Sequence, residues 1–116
     1  MTPLDAIVML AFQSMNLQDT HEQATVVVCA EECRALPASR QNEGNFRLYV
    51  QLKPGERIAA IVHTHPSSNV MWDESEKFSP DDKQMADSMH VPSYVYFAKL
   101  NQVRVYEPKV GERVID

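Results

Sequence analysis

The sequence predicts an α/β fold in which one mixed β-sheet carries helices packed against it. Its 116 residues support one domain, spanning residues 1–116. Apolar residues make up 44% of the chain and charged residues 23%, which is an ordinary globular balance. Helix and strand patterns follow one another in the order α-β-β-β-α-β-β, and this order favours a mixed sheet.

The N-terminal third predicts a helix, a loop and a buried strand. Thr2 is a preferred N-cap and Pro3 suits the first helical position. Apolar residues at helical spacing extend the predicted helix over 3–16. After a polar loop, the apolar and β-branched run Ala24–Ala30 predicts a central strand that is buried on both faces.

The middle of the chain predicts two further strands. Glu31–Asn45 is polar and predicts a loop. Apolar and polar residues alternate over Phe46–Leu52, which predicts a half-buried strand. A turn at Pro54-Gly55 then leads into Ile58–Val62, which predicts a second buried strand.

A second helix is predicted from the residues that favour a helix start. Ser79 is the predicted N-cap, Pro80 the first helical residue, and Asp81 and Asp82 lie in the first turn. Acidic side chains in a first turn interact favourably with the positive end of the helix dipole. The helix is predicted to end near Met89.

The C-terminal part predicts a hairpin. Tyr94–Leu100 and Val103–Tyr106 are short apolar runs that predict strands, with a turn around Asn101-Gln102. The chain from Gly111 onward is predicted to fray.

Charge and hydropathy exclude two classes of partner. The formal net charge is −5 and no basic stripe is present, so a nucleic-acid partner is not expected. The apolar run Ala6–Phe12 is much shorter than the roughly 20 residues that a membrane-spanning helix needs, so no membrane partner is expected either.

The two cysteines and the N-terminus bear on localisation. Cys29 and Cys33 are four residues apart, and we expect them to be reduced thiols because a disulfide over so short a span is geometrically awkward. The start of the chain lacks the basic and cleavage-site features of a signal peptide. Both observations predict a cytoplasmic protein.

Two histidines follow the second buried strand in the sequence His63-Thr64-His65-Pro66. Residues two apart in a strand point to the same face, with Cβ atoms roughly 6–7 Å apart. Both rings can therefore reach one ion at Zn–N distances of about 2.0–2.1 Å. A coincidental surface pair is the alternative. Thr64 points to the other face, and Pro66 ends the strand.

Two carboxylates could complete a metal site of the catalytic kind. Asp82 in the first helical turn could be a third ligand, or it could close a capping box with Ser79, and spacing does not separate these alternatives. Glu22 precedes the first strand and could be the general base, or a solvated loop residue. Three protein ligands leave one position open, which is typical of catalytic zinc.

The order Glu22, His63-Thr64-His65-Pro66 and Ser79-x-x-Asp82 resembles the signature of the JAMM (JAB1/MPN/Mov34) metallopeptidases. The resemblance is to the bacterial branch, which includes DUF4329-like and RadC-like domains, and it covers roughly residues 3 to 107. It implies a JAMM/MPN-like fold, similar to that of cytidine deaminases, with a mixed sheet flanked by helices. A true zinc deaminase would instead need His-x-Glu with Pro-Cys-x-x-Cys, which this chain lacks.

The resemblance also implies an activity and a role for each residue. Zn²⁺ would be held by His63, His65 and Asp82, with Glu22 as general base and Ser79 as oxyanion stabiliser. The implied reaction is hydrolysis of a peptide or isopeptide bond through a metal-activated water, and the substrate could be a ubiquitin-like protein. The alternative is a catalytically silent JAMM-like binding or scaffolding module.

One segment departs from the family pattern. The thirteen residues from Pro66 to Phe78 separate the second histidine from Ser79, which is longer than is usual in the family. Ser67 to Phe78 could form a lid or a substrate-contacting loop, or a solvated insertion.

Overall fold

A mixed β-sheet organises the described part of the protein, which in the computed structural model comprises residues 1–41, 47–67 and 76–115. The elements are, in chain order, α1 (Pro3–Gln13), β1 (Gln23–Cys29), β2 (Cys33–Ala35), β3 (Ser39–Arg40), β4 (Arg57–His65), α2 (Pro80–Met89), β5 (Ser93–Phe97), β6 (Gln102–Glu107) and β7 (Gly111–Ile115). The predicted α/β class with a mixed sheet and helices is therefore confirmed.

The strands follow the order β2-β1-β4-β5-β6-β7, and β3 also pairs with β1. Only β4 and β5 run parallel within this order; the other pairs are antiparallel. A parallel pair needs a crossover connection, and α2 lies in the segment that joins β4 to β5. Among the described residues, no helix is long and apolar enough to cross a membrane.

Each face of the sheet buries a different cluster. The larger cluster joins α1 to one face and includes Val8, Phe12, Val27, Val62, Tyr94, Tyr96 and Val105. On the other face, Phe78 packs against Val95 and Phe97, and Tyr106 lies at the margin of this cluster. Successive side chains of β4, β5 and β6 point to opposite faces of the sheet. The face that packs against α1 is called the α1 side, and the face that carries Phe78, Val95 and Phe97 is called the α2 side.

Both helices begin where their caps predict. Thr2 and Ser79 are N-caps, and each closes a capping box with the acidic residue three positions later. The helix predicted over 3–16 ends earlier, at Gln13, where Ser14 caps it and its hydroxyl bonds to the Ala11 carbonyl. The hydroxyl is a local alternative to continuing the helix.

The strand predicted over Phe46–Leu52 is wrong for the residues that the structure describes. Arg47–Leu52 has no strand pairing, and Phe46 lies outside the described residues. Strand β1 already lies between β4 on one side and β2 and β3 on the other, and β4 lies between β1 and β5. Both edges of β1 and of β4 are therefore occupied, so the segment cannot pair with either strand, and its own alternation does not reveal this.

Two segments without a predicted strand join the sheet instead. The predicted loop Glu31–Asn45 contains β2 and β3, and the predicted frayed end forms β7 on β6. Strand β7 follows a turn in which Lys109 and Gly111 have φ values of 65° and 115°. It is fixed by long-range contacts of Arg113 and by burial of Ile115, which local patterns do not reveal.

The prediction of reduced cysteines is also wrong, because Cys29 and Cys33 form a disulfide. The two residues are directly opposite in the β1–β2 ladder, with Cα atoms 4.1 Å apart. The sequence interpretation placed Cys33 in a loop and so missed the hairpin. Disulfides persist mainly in oxidising compartments, so the cytoplasmic prediction loses one of its two supports.

A buried carboxylate ties α1 to two strands. Asp5 is fully buried and accepts a hydrogen bond of 2.6 Å from the Tyr94 hydroxyl on β5. Arg113 on β7 binds it in a bidentate manner at 2.9 and 3.0 Å. Burial alone would raise the pKa of Asp5, but the hydrogen bonds from Arg113, Tyr94 and Thr2 hold it well below its usual range.

Replacing Asp5 with Asn should lower the free energy of unfolding at pH 7 by about 3 kcal/mol, because it leaves Arg113 without its buried partner. An acid whose pKa is lowered by folding stabilises the fold fully above its unfolded pKa of about 4. The difference between wild type and Asp5→Asn should therefore be complete above about pH 5 and shrink as the pH falls through 4.

Urea unfolding of both proteins across this pH range measures the difference. Lys99→Gln is the control, since it removes an exposed ion pair with Glu76 and should change stability little. A difference that stays constant down to pH 2 would show that the ion pair is not its source.

Candidate metal centre

His63 and His65 lie at the C-terminal end of β4, as their spacing predicts. Strand β4 is central, with β1 and β5 on either side, and both imidazoles are almost fully buried. Both side chains lie on the α2 side of the sheet, and their Nε2 atoms are 3.2 Å apart. A strand buried among neighbours thus holds two nitrogen ligands at a fixed separation.

Asp82 reaches both histidines from the first turn of α2. Its Oδ1 lies 3.1 Å from His63 Nε2, and its Oδ2 lies 3.0 Å from His65 Nε2. The same carboxylate accepts a hydrogen bond of 3.0 Å from the Ser79 backbone amide, and the Asp82 amide donates to Ser79 Oγ at 3.1 Å. The capping box that the sequence offered for Asp82 is therefore formed, and the same carboxylate also lies against both histidines.

The three side chains can hold a metal ion. Ligand atoms bound at about 2.0–2.1 Å around a tetrahedral ion lie roughly 3.3 Å from one another. The observed separations of 3.0 to 3.2 Å are close to this value. Two imidazole nitrogens and one carboxylate also form a common ligand set of zinc in open, catalytic sites.

The positive form of His63 and the negative form of Asp82 stabilise each other in this cluster. Burial alone would lower the pKa of His63, but the Asp82 carboxylate offsets burial and raises it above its ordinary value. Burial alone would likewise raise the pKa of Asp82, but His63 and His65 hold it well below its usual range. Asp82 is therefore an anion, which is the form that a metal ion binds.

Glu22 lies beside the cluster without belonging to the ligand set. The β1–β4 ladder pairs Ala24 with His63, and continuing this register by two residues places Glu22 opposite His65. The Glu22 Oε1 atom is 4.0 Å from His65 Nε2, and the Glu22 side chain is 30% exposed. The Glu22 carboxylate is therefore close to the histidine nitrogens and open to water.

The backbone around Glu22 is fixed on both sides. The amide of Gln23 donates to Thr64 Oγ1 at 2.9 Å, and the Glu22 carbonyl accepts from the Gln41 amide at 2.7 Å. The Gln23 side chain donates to Asp19 at 2.6 Å. The hydroxyl of Thr64, on the face opposite to the histidines, therefore links β4 to the segment that carries Glu22.

The sequence interpretation placed Thr64 on the correct face but gave it no role. Thr64 is 3% exposed, and its hydroxyl accepts a bond from a residue 41 positions away. A Thr in place of Val or Ile in a buried strand is the signal that could have revealed it, because a buried hydroxyl needs a partner.

Ser79 is the N-cap of α2 and lies three residues before Asp82. Its Oγ accepts the Asp82 amide, and its hydroxyl keeps a hydrogen that it can donate. The structure thus brings together all five predicted site residues, which are Glu22, His63, His65, Ser79 and Asp82.

Aromatic side chains close one side of the cluster. The Phe97 ring packs edge-on against His65 with centroids 5.1 Å apart, and Phe78 packs edge-on against Phe97 at 5.5 Å. These residues restrict the rotation of His65. Phe97 lies in the apolar run that predicts a C-terminal strand, but its contact with His65 depends on the β4–β5 register and could not be deduced from that run.

The other two histidines lie outside the ligand group. His21 accepts a hydrogen bond of 2.9 Å from Arg40, which itself binds Asp19, so it supports the segment before β1. His90 caps the C-terminus of α2 in the left-handed conformation. Most of the proposed lid or insertion, residues 68–75, lies outside the described residues.

Comparisons with protein-family models and with curated proteins find no match to this chain. The resemblance to the JAMM metallopeptidases therefore rests on the five motif residues and their order.

Replacing Thr64 with Val should release the Gln23 amide, because valine lacks the oxygen that accepts its hydrogen bond. Thr64→Ser keeps a hydroxyl and should leave the exchange rate of the Gln23 amide unchanged. A hydrogen bond contributes about 1 kcal/mol, so the Gln23 amide should exchange at least about fivefold faster in Thr64→Val. Hydrogen exchange followed by NMR measures this rate.

Thr25→Val is a matched control on β1, since it removes a hydroxyl that bonds to Leu36 and leaves the Gln23 amide untouched. Equal exchange rates at Gln23 in all four proteins would show that Thr64 does not hold this segment.

Proposed function

We propose that this chain is a zinc-dependent hydrolase that cleaves peptide or isopeptide bonds. The observation that carries the proposal is the convergence of two imidazole nitrogens and one carboxylate at 3.0 to 3.2 Å, with a second carboxylate 4.0 Å from His65. Zinc hydrolases combine three protein ligands with an adjacent acid that does not bind the ion.

His63, His65 and Asp82 would hold the ion at the end of β4. When bound, zinc supplies Lewis acidity, which activates water near neutral pH and polarises a carbonyl oxygen. Glu22 would accept a proton from water at Oε1 and pass it to the leaving amine. The Ser79 hydroxyl would donate a hydrogen bond to the oxygen on which negative charge develops.

The substrate in this proposal is a protein or peptide. Either a main-chain amide or the isopeptide bond of a ubiquitin-like protein presents the same carbonyl and the same leaving amine to these groups. The resemblance to the JAMM metallopeptidases supports both.

A catalytically silent binding module is the second candidate, and one observation favours it. Asp82 is already bonded to the Ser79 amide and lies within 3.1 Å of both imidazoles, so the cluster can be satisfied as a hydrogen-bonded group without a metal. Zinc content separates the two candidates.

The purified protein should contain about one zinc ion per chain, and His65→Ala and Asp82→Ala should each lose it, because two ligands hold a catalytic zinc poorly. Elemental analysis measures the content. His90→Asn is the matched control, since His90 lies outside the ligand group and Asn tolerates its left-handed backbone. A wild-type protein without zinc after supplementation would exclude the hydrolase.

Glu22→Gln should retain zinc but lose hydrolysis by about a hundredfold or more, which is the usual contribution of a general base. Mass spectrometry of a peptide mixture from a digested proteome, incubated with each variant, measures cleavage. Glu32→Gln is the control, because Glu32 lies in the hairpin at the opposite end of β1. A Glu22→Gln variant that cleaves as fast as wild type would reject Glu22 as the base.

A further inference from the structure

The sheet register places a cation on the same face as the candidate metal centre. His63 pairs with Val95 on β5, and Val95 pairs with Arg104 on β6. In the adjacent row, His65 pairs with Phe97, which pairs with Gln102. Because these rows share the α2 side of the sheet, Arg104 faces the same space as the histidines.

Contacts on both sides hold the Arg104 side chain. Its guanidinium carbon lies 5.5 Å from the centroid of Phe97, the same ring that packs against His65. Its Nε donates a hydrogen bond of 2.7 Å to Gln102 Oε1. Gln102 uses one donor of the guanidinium, and the two Nη groups keep their hydrogen atoms available for a ligand.

Arg104 differs from the other arginines in its partners and its burial. Arg34, Arg40 and Arg113 form ion pairs with Glu56, Asp19 and Asp5, respectively. Within residues 1–41, 47–67 and 76–115, no carboxylate pairs with Arg104, Arg47 or Arg57. Arg47 and Arg57 are exposed to water, whereas Arg104 is half-buried.

We propose that Arg104 is a specificity-determining residue that binds a carboxylate of the peptide substrate. A guanidinium held over an aromatic ring and fixed at Nε by a hydrogen bond is preorganised for bidentate binding of a carboxylate through its remaining donors. The proposal rests on the proposed function, because it takes the occupant of this face to be a peptide.

The distance to the metal ligands limits where the carboxylate lies in the substrate. Neighbouring strands are about 4.8 Å apart, so the Cα atoms of His63 and Arg104 are separated by roughly 10 Å. An extended peptide advances about 3.3 Å per residue, so roughly three residues span this distance. The carboxylate is therefore an Asp or Glu side chain, or the C-terminus, within about three residues of the scissile bond.

Three acetylated alanine pentapeptides test the proposal: a neutral one with an amidated end, one with a free C-terminal carboxylate, and an amidated one with a single Glu. NMR titration of the purified protein follows the Nε–H signal of Arg104 together with the backbone amide signals of β6, which the Arg104 variants retain, and yields a Kd for each peptide. At least one acidic peptide should bind about tenfold more tightly than the neutral one, as expected for a charge-assisted hydrogen bond. The tighter of the two identifies the source of the carboxylate.

Arg104→Gln should remove this preference, whereas Arg47→Gln should keep it. Arg104→Lys keeps the charge without the fork, so it should retain only part of the preference and also serves if Arg104→Gln folds poorly. Equal binding of neutral and acidic peptides, or no shift of the Arg104 signal at millimolar peptide, would overturn the proposal.

The outcomes are separate from those of the proposed function. Carboxylate binding at Arg104 in a protein without zinc would reject the hydrolase and retain this binding site. Zinc-dependent cleavage with no preference for acidic peptides would retain the hydrolase and reject the carboxylate site at Arg104.

Discussion

The antiparallel register between β1 and β4 is the constraint on which the candidate site depends. It pairs Ala24 with His63, which brings Glu22 beside His65 and the Gln23 amide onto Thr64. A shift of one residue would exchange the two faces of β4 and turn Thr64 toward Asp82 in place of the histidines. Such a shift would also separate the Thr64 hydroxyl from the Gln23 amide that donates to it, so this buried hydrogen bond supports the observed register.

The buried polar groups of the protein fall into two kinds. Asp5 is fully compensated, because Arg113 and Tyr94 supply a charge and a hydroxyl from β7 and β5. His63 and His65 share one carboxylate at the end of a central strand, and their Nε2 atoms face each other at 3.2 Å. Asp82 lies within 3.1 Å of both nitrogens and can accept hydrogen bonds from their protonated forms. A cation bound at the same point would take the lone pairs of both nitrogens instead.

The sequence predicted the elements whose signals are local. The caps at Thr2 and Ser79, the apolar runs of β1 and β4, and the spacing of His63 and His65 are all set by neighbours in the chain. Long-range partners determine the rest. Strand β7 depends on Arg113 reaching Asp5 over 108 positions. Likewise, the position of Arg104 depends on the β4–β5 and β5–β6 pairings, so its place on the same face as His63 and His65 could not be deduced from spacing.

Asp82 shows how a structural signal and a chemical one coincide in the same residue. The capping box fixes its carboxylate through the Ser79 amide, and this fixed carboxylate is the group that approaches both imidazoles. A flexible acid would lose side-chain entropy on binding a metal, whereas the cap has already restricted this one. The helix start therefore preorganises the carboxylate that would be the third ligand. For this reason Ser-x-x-Asp after His-x-His predicts a metal site better than either motif does alone.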